Sequence, residues 1–156
     1  MWEKPIRNGW HIKLAESIIK RDTEIHPRWT YDDGVIWNGF AARYEVTGDT
    51  RYFGYIKDGI DSFVKDEGAS IRDYDPDEYN IDHINNGKQL LYLFDKTGDE
   101  QYKRAADLLW GQLQTHPRTS EGGFRNKQYY PYPSGLAGIY KGAPFYATYA
   151  PMFRPA

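Results

Sequence analysis

The chain has 156 residues, enough for one domain with a buried core; 40% are apolar and 17% aromatic, at a mean hydropathy of −0.80. That mixture belongs to a globular protein and excludes a disordered one. Twenty Lys and Arg against 22 Asp and Glu leave a net charge of −2, without the basic excess that a phosphate backbone demands, and the lack of cysteine excludes disulfides, thiolate metal sites and a cysteine nucleophile.

The opening segment, Met1 to Arg7, carries no apolar leader core, and no stretch approaches the roughly 20 apolar residues of a membrane span. The expectation is a cytoplasmic protein that engages neither membrane nor nucleic acid. A first helix is predicted over 10–21, where Ile12, Leu14, Ala15, Ile18 and Ile19 recur at helical spacing and Pro27 lies beyond the end.

Next comes a repeat. Thr47-Gly48-Asp49-x-x-Tyr52 returns as Thr97-Gly98-Asp99-x-x-Tyr102, 50 positions later, and Tyr44, Glu45 and Phe63 match Phe94, Asp95 and Leu113. Thr-Gly-Asp reads as a tight connection between helices: glycine takes the left-handed position that ends one helix and aspartate caps the next. Ile36, Trp37, Phe40 and Tyr44 keep helical spacing before the first turn; Tyr52, Ile56, Ile60 and Phe63 keep it after. Leu90, Leu91 and Phe94, then Tyr102, Ala106, Leu109 and Leu113, do the same around the second. Residues 34–64 and 84–114 are therefore expected to be two superposable helical hairpins. A last helix is predicted over 137–149, with loops at 67–82 and 115–135, and a short strand pair at Gly122 to Tyr132 is a weaker expectation. The whole, 1–156, reads as a single all-α domain of about three hairpins.

The loop Thr115-His116-Pro117-Arg118-Thr119-Ser120-Glu121-Gly122-Gly123-Phe124, together with Tyr79-Asn80-Ile81-Asp82-His83-Ile84-Asn85 and both Thr-Gly-Asp turns, resembles the unsaturated rhamnogalacturonyl hydrolases, which are six-hairpin glycosidases. The likeness runs from about Ala15 to Ala150. It implies roughly the first half of an (α/α)6 toroidal barrel whose loops at one end bind an oligosaccharide carrying a 4,5-unsaturated uronic acid. The chemistry it implies is hydration of a vinyl ether, in which an aspartate protonates the double bond and activates water, with no covalent intermediate. Asp82 matches one of the family's two active-site aspartates. The other is expected in a segment of the type Tyr-Pro-x-Gln-Met-Trp-Leu-Asp-Gly-Leu-Tyr-Met, which here reads Tyr130 to Lys141 and has Ala137 at the acid. Arg125-Asn126 replaces the family's Trp-His pair, and Gly135 replaces a tryptophan.

Each candidate has a plainer alternative. Asp82 is either a retained saccharide ligand or the N-terminal cap of the helix holding Leu90 and Leu91. His83 goes with it. Trp29, Tyr31 and the tyrosines at 129, 130 and 132 are sugar-stacking platforms or core residues. Asp73, Asp75 and Asp77 alternate like calcium ligands, but Glu78 and Ile84 stand where the turn glycine and bidentate glutamate belong. His11, His26, His83 and His116 lack metal-ligand spacing, so no metal and no cofactor is expected. The favoured function is a non-catalytic scaffold derived from the hydrolase, a fragment or an engineered piece; the alternatives are a working hydrolase and a carbohydrate-binding module. Half a toroid would leave apolar flanks, so a homodimer closing a barrel is the expected partner, beside an unsaturated oligosaccharide.

Overall fold

In the computed structural model the two Thr-Gly-Asp turns are near copies of each other. Gly48 and Gly98 have φ of 68° and 69°, and their N–H groups donate to Tyr44 O and Phe94 O at 2.7 and 2.8 Å. Thr47 and Thr97 each bond back to a carbonyl four residues earlier at 2.7 Å. Asp49 and Asp99 each accept from the N–H two residues on, at 3.0 Å, and so cap the following helix.

Residues 9–21, 28–127, 136 and 138–154 are described. Helix α1 (Trp10–Arg21) has the predicted bounds, but only Ala15 on it is buried; Leu14 stands 63% exposed, so the packed face is narrower than the spacing implied. Helices α2 (Tyr31–Thr47) and α3 (Thr50–Phe63) form the first hairpin. Trp37 fills the gap between them, lying so close to Gly59 that a Cβ there would meet the indole at 2.7 Å. Phe40 stacks on Tyr55 at 4.5 Å and meets Tyr52 edge-on. The short helix α4 (Ile81–Ile84) leads through Asn85-Asn86 into α5 (Gly87–Thr97), and α6 (Glu100–Thr115) completes the second hairpin on buried Leu90, Leu93, Leu109 and Leu113.

Three expectations need correction. The first hairpin ends at Phe63, because Val64–Lys65 (β1) pairs antiparallel with Ser70–Ile71 (β2) around a tight turn at Asp66–Gly68. Strands of two residues leave no alternation to read. Gly68, at φ 92°, lies so close to Gln101 that a Cβ would meet its carbonyl oxygen at 2.1 Å, which seats this ribbon on the start of α6. At the second site, in place of a strand pair from Gly122 there is one bridge, Arg118 with Phe124; residues 128–135 lie outside the described set. Finally, the predicted helix 137–149 is a π-helical turn at Gly138–Gly142 followed by α7 (Ala143–Phe153). Pro144 sits in the first turn of α7, where no N–H is needed. Phe145 packs on Gly87, and Tyr149 stacks on Trp110 at 4.4 Å.

Candidate functional site

Asp82 owes its position to its neighbours. Asn80 caps α4 by accepting from Asp82 N at 3.1 Å, and Ile81 N donates to Asn126 O at 2.9 Å, tying α4 to the loop after α6. Beyond α4 the chain bends, and the amides of Asn85 and Asn86 donate to Tyr31 O and Thr30 O at 3.0 and 2.9 Å. Those two bonds, with Gln89 to Gly34 O at 3.3 Å and Asn38 Oδ1 at 2.6 Å, dock the start of α2 against the bend. Tyr31 is thereby brought to Asp82.

The third member comes from the π-helical turn. Gly138 and Gly142 let that turn lie flat on Phe124 and Ile81: added Cβ atoms would meet Phe124 O at 2.3 Å and Ile81 Cδ1 at 2.8 Å. Lys141 is carried inward by this packing. Its ammonium donates to Asp82 Oδ1 and sits 4.0 Å from the centroid of the Tyr31 ring. The lysine side chain is 12% exposed and the aspartate 25%. Tyr31, itself exposed, has its phenol held above the ordinary value, chiefly by its hydrogen bond to Asp32 and that carboxylate's charge, with a further contribution from Asp82.

Asp82 is therefore not the cap of the helix holding Leu90; Asn80 caps α4, and the Asp82 carboxylate is spent on Lys141. Trp29 has no exposed surface: its indole N–H donates to His83 O at 2.9 Å and its ring meets Phe63 edge-on. It offers no face to a sugar and instead braces the backbone beneath α4. His83 is buried with its ring edge-on to Tyr74, 3.9 Å from Glu78, and burial holds its imidazole below the ordinary histidine value against the opposing pull of Glu78 and Asp82. The structure thus brings Asp82 and Tyr31 together and buries Trp29 and His83. Ala137 lies outside the described residues.

Asp75 is engaged as a cap, accepting from Asp77 N at 2.9 Å, and among the described residues no group of three His, Asp or Glu is placed to hold a metal ion. Nor, among them, is any helix long and apolar enough to cross a membrane. Lys141 is the site residue that the sequence did not single out. The available signal was a lone lysine inside Leu136 to Tyr149, a stretch otherwise apolar, aromatic or small.

Comparison with known proteins bears on the fold and the family. The profile of Glycosyl Hydrolase Family 88 matches residues 7–155. The chain is 29% identical over 110 residues to the unsaturated rhamnogalacturonyl hydrolase YesR of Bacillus subtilis (strain 168), an alignment covering 70% of this chain and 30% of that one. A glycoside hydrolase from Family 105 of C. acetobutylicum ATCC 824 superposes with a TM-score of 0.85 at 40% identity, over 94% of this chain and 40% of its own. The chain thus spans well under half the length of either relative, and its helical hairpins form part of an (α/α)6 barrel.

Proposed function

The chain belongs to Glycosyl Hydrolase Family 88, and from that premise we propose that it is a non-catalytic helical-hairpin member of the family. The observation that carries this is the contact of Lys141 with Asp82: the carboxylate that the family resemblance assigns to the active site is already held by an internal cation. Ala137 adds a second reason, since a methyl group has no proton to give to a vinyl ether, and loss of a general acid removes about 10²–10⁴-fold in rate. The decisive experiment follows the absorbance of the conjugated double bond of an unsaturated rhamnogalacturonan disaccharide. No decay above the buffer blank is expected; decay that disappears in Asp82→Asn would make the chain a working hydrolase.

Self-association has its own support. An apolar cavity of about 290 Å³ opens between α1 and α2, lined by Leu14, Ala15, Ile18, Val35 and Phe40, and Trp10 and Ile139 stand 69% and 66% exposed. A second copy packed against α1 would cover this apolar surface. Light scattering should give about twice 18.2 kDa, and Leu14→Lys should return it to the single mass. A single mass for the unaltered chain at micromolar concentration removes the dimer.

A further inference from the structure

We propose that the niche between Asp82 and Tyr31 is a binding site for a primary ammonium group, which this chain fills with its own Lys141. The proposal rests on the non-catalytic reading in one respect, that Asp82 has no other use here. Two kinds of attraction meet at one nitrogen. The carboxylate oxygen accepts a charge-assisted hydrogen bond, and the ring centroid at 4.0 Å lies well inside the roughly 6 Å over which an aromatic face attracts a cation.

Burial separates this contact from ordinary surface pairing. Four other lysines of the described residues pair with carboxylates, Lys57, Lys96, Lys103 and Lys127, and their side chains are 31–39% exposed against 12% for Lys141. A lysine normally keeps its ammonium in water and lays only its stem on the protein. Here most of the side chain is covered, which a carboxylate and an aromatic face together can offset and an isolated surface charge cannot.

The backbone that carries the walls of the niche is held by bonds other than those of the lysine. The Tyr31 backbone is set by the Asn85 amide, and that of Asp82 by its Asn80 cap and by the bond from Ile81 to Asn126. The tether is equally fixed, because Gly138 and Gly142 hold the π-helical turn against Phe124 and Ile81. Lys141 is thus delivered into a preformed site, and an external ligand enters only by displacing it. Removing the lysine side chain leaves the carboxylate and the ring facing an opening of ammonium-plus-stem shape, matched by a short linear alkylammonium ion.

The test uses the full chain with Lys141→Ala and n-butylammonium chloride as the probe, read by amide chemical shifts, with sodium chloride at equal ionic strength as the control. Saturable shifts around Asp82 and Tyr31 are expected, at least about tenfold weaker in the unaltered chain and abolished when Asp82→Asn is added. A folded Lys141→Ala chain that shows no saturable shift, or one that binds no better than the unaltered chain, overturns the proposal. A second measurement needs no change at Lys141: reductive methylation followed by mass spectrometry should modify Lys141 at least about tenfold more slowly than Lys57 or Lys103, and Asp82→Asn should speed it. Equal rates would overturn the proposal too. Disaccharide turnover by the unaltered chain would sink the non-catalytic reading, whereas absent amine binding sinks only the niche.

Discussion

Helix α2 (Tyr31–Thr47) and the stretch Ile81–Thr97 are equivalent by the offset of 50, and each runs into a Thr-Gly-Asp turn, yet the first is one continuous helix and the second is broken at Asn85-Asn86. Gly34, Val35, Ile36 and Trp37 of the first copy face Ile84, Asn85, Asn86 and Gly87 of the second. Asparagine side chains compete with the helical ladder for hydrogen bonds, so the second copy breaks where the first continues. The consequence is functional. The bend turns two buried amides onto the carbonyls of Thr30 and Tyr31, and Asp82 meets Lys141 while its counterpart Asp32 stays exposed. A repeat builds the frame; its local failure builds the site.

The largest effect that could break this comparison is in the continuous copy. Trp37 has no exposed surface and is the residue that holds α2 on α3, whereas its counterpart Gly87 instead admits Phe145. Trp37→Ala should cost about 3–5 kcal/mol in a denaturant titration, from lost burial and the cavity left behind. A loss under about 1 kcal/mol would mean that the hairpin does not depend on this plug.

Gly34 tests where the two copies touch. A Cβ there would meet Asn86 Oδ1 at 2.2 Å and Asn85 Nδ2 at 2.5 Å, and both amides are pinned by their bonds to Thr30 and Tyr31. Gly34→Ala should therefore destabilise by about 1–3 kcal/mol. Gly39, in the same helix with nothing within 4 Å of an added Cβ, should respond with the opposite sign: Gly39→Ala should stabilise by about 0.5–1 kcal/mol. Equal signs in thermal melts would show that the asparagine contact carries no constraint.

The turns sharpen the likeness instead of the difference. With φ of 68° and 69°, Gly48→Val and Gly98→Val should each cost about 1–2 kcal/mol, and their values should agree closely. A large gap between them would mean that one hairpin tolerates a reshaped turn and the repeat is one of sequence more than of structure.

What the sequence carried plainly was the part built by periodicity and capping. The hairpins, the left-handed glycines and the aspartate caps follow from interactions within a few residues, so their spacing records them. The site does not. Asp82 stood out through family resemblance, but its partner is 59 positions away, and nothing local to Ile139-Tyr140-Lys141 says that a π-helical turn will carry the lysine inward. That turn depends on Gly138 and Gly142 lying against Phe124 and Ile81, a contact between distant segments. Trp29 misleads for the same reason: an aromatic beside Tyr31 looks the same in sequence whether it faces a sugar or braces the carbonyl of His83.

The smallest expected effect is a pH dependence that separates buried His83 from buried His116. His116 closes the loop after α6: its Nε2 lies 2.8 Å from Arg125 O, and its Nδ1 3.1 Å from the amide nitrogen of Gln112. Gln112 is itself oriented, because its Oε1 accepts from the Tyr74 hydroxyl at 2.9 Å and its nitrogen also donates to Asn80 O. Only the neutral ring with its proton on Nε2 satisfies every partner, since a proton on Nδ1 would face the Gln112 amide hydrogens. Burial is the main reason that this imidazole is held below the ordinary value of 6.5, and Arg118 acts in the same direction. His83 is lowered too, first by burial, but Glu78 and Asp82 oppose the shift, whereas at His116 the opposition comes from the hydrogen bond to the Arg125 carbonyl. A histidine lowered on folding binds fewer protons in the folded chain than in the unfolded one. Its contribution is therefore complete above about pH 6.5 and lost progressively as pH falls through and below that value. The lowered carboxylates, Glu45, Asp49, Glu78 and Glu121, act in a separate window below their ordinary values of 3.8 to 4.5. The melting temperature should drop between pH 7 and pH 5.5, and His116→Gln should flatten that drop more than His83→Gln does. An unaltered slope in His116→Gln would mean that the loop over Asp82 is not held by a neutral His116.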